Sequence, residues 1–137
     1  MVESECIFCG IIKKRIPSKI IYEDEFSMAF LDIFPISRGH TIIVPKKHYV
    51  NLEEIPDNEL GNLIVVVKKI ANILRKKLNF DGYNILQNNF KAAGQDIFHI
   101  HFHIIPRTYN DNKFYLQIPK QQASEEELDE ILELITN

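Results

Sequence analysis

Residues 99–105 read HIHFHII, and this stretch decides most of what the sequence predicts. Three histidines, His99, His101 and His103, alternate with apolar residues, and this two-residue period is typical of a β-strand. In a strand the three imidazoles project from one face, while the residues between them face the core. A rise of about 3.3 Å per residue separates the two outer imidazoles by about 13 Å, too far for one metal ion to bind all three. We therefore expect the histidines to have different roles.

Chemistry explains this row of histidines better than packing does. A single buried histidine is usually a core residue that is satisfied by hydrogen bonds. Three neighbouring imidazoles would each need such a partner, because burying an unpaired polar group costs free energy. Three of the five histidines in the chain fall within residues 99–103, so we expect a functional site here.

The composition is that of a globular domain. The chain has 137 residues, of which 45% are hydrophobic and 26% are charged, and this suits a single domain spanning residues 1–137. A net charge of −3 and the lack of a long basic run argue against nucleic acid as the main partner. The longest aliphatic run, Leu63–Val67, is too short to span a bilayer, so we predict a cytoplasmic protein without a membrane partner.

The order of the predicted elements favours an α+β fold. Strand-like segments lie at residues 20–22, 26–31, 41–44, 83–87 and 97–105, and the first two form a predicted hairpin. A long helix begins at Pro56 and ends near residues 79–82. Its predicted buried stripe consists of Leu60, Leu63, Ile64, Val67, Ile70, Ala71, Leu74 and Leu78. Strands on both sides of one long helix indicate an antiparallel sheet with the helix against one face.

A second helix is predicted near the carboxyl terminus, at residues 125–135. Ser124 and Glu127 have the spacing of a capping box at its start. Its predicted buried stripe consists of Leu128, Ile131, Leu132 and Ile135.

Cys6 and Cys9 have the spacing of half a zinc site, because two thiolates three residues apart in a tight turn can bind one ion. The remaining ligands must be histidine or carboxylate, since the chain has no other cysteine. The available imidazoles are His40, His48, His99, His101 and His103. A histidine at one end of the 99–103 row is the natural donor and leaves the middle one free for substrate. A redox pair and two unligated thiols are the alternatives, although the βαβ surroundings of a thioredoxin-like pair are missing.

Five segments together resemble the histidine triad family of nucleotide hydrolases and transferases. They are CIFC at 6–9, FLDI at 30–33, HTIIVPKKH at 40–48, GQ at 94–95 and HIHFHII at 99–105. The resemblance covers a core of about residues 6–107 and leaves a carboxyl-terminal extension of about 108–137, which is similar to that of bacterial-type members. It implies a five-stranded antiparallel sheet with one long helix, in a homodimer whose sheets continue across the interface.

The resemblance also implies a catalytic role for each triad residue. His101 would attack the α-phosphorus of a nucleoside phosphate and hold the nucleotidyl group covalently until water releases the nucleoside monophosphate. Imidazole suits this role, because a neutral ring with a pKa near 6.5 is nucleophilic at physiological pH. The His99 carbonyl would orient His101, and His103 would contact the phosphate oxygens. Gln95 and the amides around Gly94 would surround the phosphate and the leaving group.

Further binding residues follow from the same resemblance. Asp32 would bind the ribose hydroxyls, Asn88 would contact the phosphate region, and His40 would lie near the active histidine. The base, expected to be a purine and most simply adenine, would lie among Phe8, Ile11, Ile16, Phe30 and Ile33. Zinc-bearing members imply one structural zinc per chain, with no organic cofactor, bound by Cys6, Cys9, His48 and His99.

Asp96 departs from the family pattern, because many relatives have serine or threonine at this position next to the phosphate. A carboxylate that points inward would repel an anionic leaving group. The expected substrates are nucleoside phosphoramidates or dinucleoside polyphosphates. A nucleotide-binding or scaffold module without turnover is an alternative function, and a hydrolase in which the triad holds a catalytic metal ion is another.

Overall fold

The chain folds into a five-stranded antiparallel sheet with helices on both faces, as seen in a computed structural model that describes residues 3–113 and 120–137. The strands are β1 (Ile20–Glu23), β2 (Ser27–Leu31), β3 (Thr41–Pro45), β4 (Gly82–Leu86) and β5 (Phe102–Arg107). The helices are α1 (Ile7–Ile12), α2 (Asp57–Leu78) and α3 (Glu125–Thr136), with 3-10 turns at Glu3–Glu5 and Lys91–Ala93. The strand order is β1-β2-β3-β5-β4, and every neighbouring pair is antiparallel. The predicted α+β fold is confirmed.

The two central strands β2 and β3 are covered on both faces. On one face, Ala29 and Ile43 pack with the apolar side of α2. On the other, Met28 and Val44 pack with residues of α1. Alternate residues of a strand point to opposite faces, so a strand buried on both sides has a continuous apolar sequence. The arrangement presses α1, which carries Cys9, against the sheet.

The long helix α2 begins and ends close to the predicted positions. It ends at Leu78 and is capped by Asn79, which has a left-handed conformation with φ 53° and donates its N–H to the carbonyl of Arg75. The buried residues are Leu63, Val66, Val67, Ile70, Ala71 and Leu74. The prediction that Ile64 belongs to this stripe is wrong, since 45% of the residue is exposed. Ile64 follows Leu63 and is therefore rotated by about 100° from the centre of the buried face.

Strand β5 begins at Phe102, five residues later than predicted. Its pairing with β3 includes Ile43 opposite Phe102, and continuing the register would bring Ile100 opposite Pro45. Proline has no N–H to donate to a ladder, so the ladder ends before this point. The N–H of Ile100 instead donates to the carbonyl of Tyr49 at 2.7 Å. His99 and His101 therefore lie outside the regular strand, in a segment held by contacts with residues after β3.

Helix α3 forms as predicted, but its apolar stripe is not buried. Ser124 Oγ accepts a hydrogen bond from the Glu127 N–H at 3.2 Å, and the Glu127 carboxylate accepts one from the Ser124 N–H, which confirms the capping box. The residues expected to be buried are instead exposed: Leu128 58%, Ile131 52%, Leu132 58% and Ile135 76%. An amphipathic pattern predicts the helix but not the surface that covers its apolar face. Part of the extension predicted at 108–137, residues 114–119, lies outside the described residues.

Among the helices in the described part of the chain, none combines the length and the apolar character needed to cross a membrane.

Candidate active site and metal centre

The three triad histidines have different surroundings. His99 is fully buried, with its ring near the two cysteines. His101 is 4% exposed, His103 is partly buried, and their ring centroids are 4.9 Å apart. Both of these rings border a cavity of about 370 Å³, whereas His99 does not. The row is thus divided between two sites.

His101 is held in one tautomer with its other nitrogen available. Its Nδ1 lies 2.8 Å from the carbonyl oxygen of His99. A carbonyl can only accept, so Nδ1 carries the proton and Nε2 of the neutral ring has a free electron pair. Burial lowers the pKa of His101 by more than the His99 carbonyl and nearby carboxylates raise it. In the described residues Nε2 has no hydrogen-bond partner, which leaves an unprotonated nitrogen for the cavity.

A hydrogen-bonded chain fixes the tautomer of His103 through His40. The N–H of Ile36 donates to Nδ1 of His40 at 3.0 Å, so the His40 proton is on Nε2. This Nε2 donates to Nδ1 of His103 at 2.9 Å, and the remaining proton of His103 must be on its own Nε2. Burial, together with His101 and His40, lowers the pKa of His103 to about 4, and burial also lowers the pKa of His40. His103 is therefore a neutral N–H donor.

The same chain of hydrogen bonds argues against a catalytic metal ion at these histidines. Ligand atoms of Asp32, His40 and His103 lie within 4.8 Å of one another, and Asp32 Oδ2 is 3.5 Å from His40 Nε2. A metal ion on Nε2 would move the His40 proton to Nδ1. That proton would then face the donating N–H of Ile36. The geometry favours a hydrogen-bonded relay over a metal site here.

The cavity brings together the residues predicted to hold the nucleoside. Its walls include all five predicted base-binding residues, namely Phe8, Ile11, Ile16, Phe30 and Ile33. Asp32 borders it next to these residues, and its Oδ1 accepts a hydrogen bond from the N–H of Phe34 at 2.8 Å. His40, Phe34 and Asp96 also border the cavity. The lining therefore combines apolar side chains with three imidazoles and two carboxylates.

Gln95 is not placed as predicted. Its side chain is 2% exposed and does not border the cavity. Oε1 accepts from the N–H of Phe90 at 2.8 Å, and Nε2 donates to the carbonyls of Val50 at 2.6 Å and Ile97 at 3.2 Å. The amide is fully used by backbone groups and has no free N–H for a phosphate. This differs from the expectation that its side chain faces the leaving group.

Asn88 and Gly94 also lie outside the cavity walls, on the loop that Gln95 holds. Gly94 has φ 94° and ends a 3-10 turn, which explains the glycine, since other residues rarely adopt this conformation. A Cβ built on Gly94 would lie 3.7 Å from Nδ2 of Asn88, so the two residues are neighbours.

A second cluster shares His99 with the triad. It consists of Cys6, Cys9, His48 and His99. Sγ of Cys6 is 3.4 Å from Nδ1 of His99, and Sγ of Cys9 is 3.5 Å from the same atom. Sγ of Cys9 is 3.3 Å from Nδ1 of His48. Bonds of about 2.3 Å to sulfur and 2.0–2.1 Å to nitrogen place the ligands of a tetrahedral zinc ion about 3.5 Å apart. The spacing and the donor atoms of the cluster both fit zinc.

The orientation of His99 and the burial of the thiols support the same interpretation. Nε2 of His99 lies 2.8 Å from the carbonyl of Pro45, so Nε2 carries the proton and the unprotonated Nδ1 faces the two thiols, as a metal ligand would. The cysteines are 4% and 2% exposed, whereas redox-active cysteines are usually accessible. His48 belongs to the cluster and His40 does not, a distinction that the CxxC spacing alone could not make. Nε2 of His48 is buried without a partner in the described residues, so the cluster alone orients this ring.

Comparisons with known proteins agree with this geometry. The chain is 52% identical over 130 residues to an uncharacterized HIT-like protein of Methanocaldococcus jannaschii, covering 95% of this chain and 98% of that protein. It is 40% identical to an adenosine 5′-monophosphoramidase of Saccharomyces cerevisiae, over 93% of this chain and 78% of the relative. It is 43% identical to an adenylylsulfatase of Arabidopsis thaliana, over 80% of this chain and 56% of the relative.

Solved structures show the same fold. A HIT family protein from Bacillus anthracis superposes with a TM-score of 0.88 at 38% identity, covering 96% of this chain and 94% of the other. A zinc-bound histidine triad family protein from Mycobacterium smegmatis superposes with a TM-score of 0.78 at 39% identity, covering 87% and 86%. A model of the HIT domain matches residues 13–110, which include all five strands of the sheet and the triad. The chain therefore belongs to the HIT domain family.

Proposed function

We propose that the chain is a nucleotide hydrolase that cleaves nucleoside phosphoramidates or dinucleoside polyphosphates at the α-phosphorus. The reaction passes through a nucleotidyl group covalently bound to His101 and releases a nucleoside monophosphate. The observation that carries the proposal is the His101 ring, whose Nδ1–H is bound to the His99 carbonyl at 2.8 Å while the ring borders a nucleotide-sized cavity. Relatives named as a phosphoramidase and an adenylylsulfatase support a hydrolase of this kind.

The tautomer of His101 defines the first chemical step. The electron pair on Nε2 attacks the phosphorus, and the bond between phosphorus and the leaving group breaks with its electrons on the leaving atom. Water then attacks the same phosphorus, and the bond to Nε2 breaks to restore the ring. The His99 carbonyl keeps its hydrogen bond to Nδ1 throughout and stabilises the positive charge that the ring gains.

His103 and Asp32 bind the substrate on either side of the reacting phosphorus. The N–H on Nε2 of His103 is a donor for a phosphate oxygen, oriented by His40. Asp32 uses Oδ1 for the Phe34 N–H and retains acceptor sites for two ribose hydroxyls. The apolar walls near Phe8 and Phe30 suit a purine, and the relatives' names favour adenosine.

The proposal includes one structural zinc ion per chain, bound by Cys6, Cys9, His48 and His99. It requires no organic cofactor. Four protein ligands fill a tetrahedral shell, so the ion supplies structural stability and has no open position for activating water. The ligands come from α1, from the segment after β3 and from the triad. A zinc ion there would anchor the amino-terminal segment against the sheet, in agreement with the zinc-bound relative.

A homodimer whose sheet continues across the interface is supported by the edge strand β4. This strand pairs with β5 on one side, and β4 ends the strand order. Ile85 pairs with Ile104, which packs in the α2 core, so Ile85 is on the same face of the sheet as α2. Ile64, Tyr83 and Ile85 are 45%, 40% and 41% exposed. We infer that this apolar surface contacts a second copy.

Trapping the covalent intermediate tests the proposed function. The protein is mixed with an adenosine 5′-phosphoramidate, quenched in alkali and analysed by mass spectrometry for an added adenylyl group on His101. We expect the adduct in the native protein and neither adduct nor turnover in His101→Ala. Turnover that persists in His101→Ala would refute the mechanism. Tight AMP binding with no turnover of any substrate would instead support the alternative of a non-catalytic nucleotide-binding module.

A further inference from the structure

Asp96 is an unpaired carboxylate at the edge of the reaction centre. It borders the same cavity as His101 and His103 and is exposed. In residues 3–113 and 120–137 no group donates a hydrogen bond to its carboxylate or forms an ion pair with it. The other carboxylate in the cavity, Asp32, differs, since it accepts the Phe34 N–H and lies 3.5 Å from His40 Nε2. Asp96 therefore has no structural partner that accounts for its position.

The lining of the cavity is negatively charged. Within the described ranges it contains two carboxylates, Asp32 and Asp96, and no lysine or arginine. The imidazoles of His40 and His103 do not compensate this charge, because their hydrogen bonds leave each ring with a single N–H and burial lowers the pKa of both. A nucleoside phosphate already brings one negative charge into this lining. Further negative charge on the leaving group makes its binding and its departure less favourable, because like charges repel strongly where water is partly excluded.

Asp96 shares one cavity with both reactive imidazoles. Its charge raises the pKa of His103, against the larger effect of burial. A carboxylate that borders this cavity also acts on a phosphorus atom held there between His101 and His103. Asp96 is thus placed to interact with charge that develops during bond cleavage.

We propose that Asp96 is a specificity-determining residue that selects substrates by the charge of the leaving group. It favours amine leaving groups, as in nucleoside phosphoramidates, and disfavours phosphate or sulfate leaving groups. This inference rests on the proposed function and chooses between the substrate classes that the function leaves open.

The chemistry of the two leaving groups explains the selection. In a phosphoramidate the bridging nitrogen takes a proton from solvent, and Nε2 of His101 forms a bond to phosphorus as the P–N electron pair moves onto nitrogen. The amine leaves uncharged, and the proton taken up is balanced by the one released when water attacks the phosphorus. The positive charge on the protonated bridging nitrogen is stabilised by Asp96. A departing phosphate or sulfate instead gains negative charge next to this carboxylate.

Two substrates that share an adenylyl group test the proposal. One is the adenosine 5′-phosphoramidate of an uncharged primary amine, and the other is diadenosine triphosphate. We expect Asp96→Asn to lower kcat/KM for the phosphoramidate and to raise it for diadenosine triphosphate. The ratio of kcat/KM for the phosphoramidate to kcat/KM for diadenosine triphosphate should therefore fall by about tenfold or more. Asn has nearly the same shape as Asp, and Asp96 makes no hydrogen bond in the described structure, so the fold is retained.

Two controls separate local charge from other effects. Glu25→Gln removes one exposed negative charge from the β1–β2 turn, outside the cavity, and should leave the ratio unchanged. Raising the salt concentration should weaken the discrimination of the native protein but not that of Asp96→Asn, because salt screens charges that are accessible to solvent. An unchanged ratio in Asp96→Asn, with both substrates still cleaved, would overturn the inference alone. Failure of the native protein to cleave either substrate would overturn the proposed function and this inference with it.

Discussion

The carbonyl oxygen of His99 accepts a hydrogen bond from Nδ1 of His101 at 2.8 Å, while the His99 ring faces Cys6 and Cys9 at 3.4 and 3.5 Å. One residue thus belongs to the proposed zinc site through its side chain and to the proposed active site through its backbone. Nε2 of His99 also donates to the carbonyl of Pro45, so one nitrogen of this ring faces the backbone and the other faces the thiols. The backbone carbonyl that orients His101 is therefore distinct from the ring atom that would bind a metal ion.

Replacing a zinc ligand should affect stability more than catalysis. In Cys9→Ser we expect zinc content to fall below one ion per chain and the Tm to fall by about 10 °C, because the site exists only in the folded chain and zinc binding therefore adds to the free energy of folding. At a temperature well below the new Tm, kcat should change by less than about tenfold. Thermal unfolding, elemental analysis and initial rates measure these effects. A large loss of kcat with unchanged Tm and zinc content would contradict a structural role.

The stability of the protein should fall as the pH decreases from about 6.5 towards 4. His103 titrates near its ordinary pKa in the unfolded chain but at about 4 in the folded protein. Between these pH values the unfolded chain binds more protons, so acid favours unfolding, and the stability is fully present only above the unfolded pKa. Urea unfolding at pH 7 and pH 4.5 measures the loss. His103→Gln should make the loss smaller, and an equally steep loss in this variant would contradict the assignment.

The fold was predictable because periodic burial leaves a clear pattern in the sequence, and the errors have local causes. Ile64 fits the three- and four-residue spacing of the apolar stripe, being four residues after Leu60 and three before Val67, but it lies on the flank of α2 and is 45% exposed. The predicted start of strand β5 is too early. Pro45 ends the pairing of β3 with β5, but Pro45 precedes Phe102 by 57 residues, and the sequence alone does not show which residues of the two strands pair. The capping box of α3 was correct because it is a local interaction. The exposed stripe of α3 was missed because burial depends on tertiary packing.

The site was predictable in its residue types more than in its contacts. The spacing of the residues predicts a functional row of histidines and half a zinc site, and the family resemblance adds the nucleophile and the other zinc ligands. The structure brings these residues together. Only the family resemblance favours His48 over His40 as a zinc ligand. His40 comes directly before strand β3 and His48 comes shortly after it, so their positions alone do not distinguish them. The hydrogen bond between His40 and His103 joins residues 63 positions apart and left no local signal. The backbone contacts of the Gln95 amide are not predictable from the sequence, because an amide can bind a phosphate or the backbone.

Gln95 should act as a positioning residue. Its amide joins the loop at Phe90, the segment at Val50 and the triad segment at Ile97. Phe90 has φ 70°, a conformation that costs free energy in a residue other than glycine and needs such support. In Gln95→Glu a carboxylate oxygen faces two carbonyls, so we expect a loss of about 1–3 kcal/mol in stability and a lower kcat with little change in KM.

The comparison with Gln87 makes this test specific. Gln87 lies on the same loop, and its amide bonds to Asn88 and Asn89 rather than to the triad segment. Gln87→Glu should therefore lower kcat less than Gln95→Glu does. Kinetics and urea unfolding of both variants measure the difference. A raised KM in Gln95→Glu with unchanged stability would instead show that the amide contacts the substrate phosphate.

The proposed homodimer can be tested with two isoleucines on opposite flanks of α2. Ile64 is 45% exposed and Ile73 is 42% exposed, and nine residues of helix place them about half a turn apart. Glu59, Asn62 and Val66, on the flank of Ile73, border a cavity with the β1–β2 hairpin, so Ile64 is on the flank nearer the edge strand β4. Ile64→Glu places a charge in the proposed interface and should yield monomers, whereas Ile73→Glu should leave the dimer intact. Light scattering on both variants measures the mass. Equal masses for Ile64→Glu and the native chain would show that this surface is not the interface.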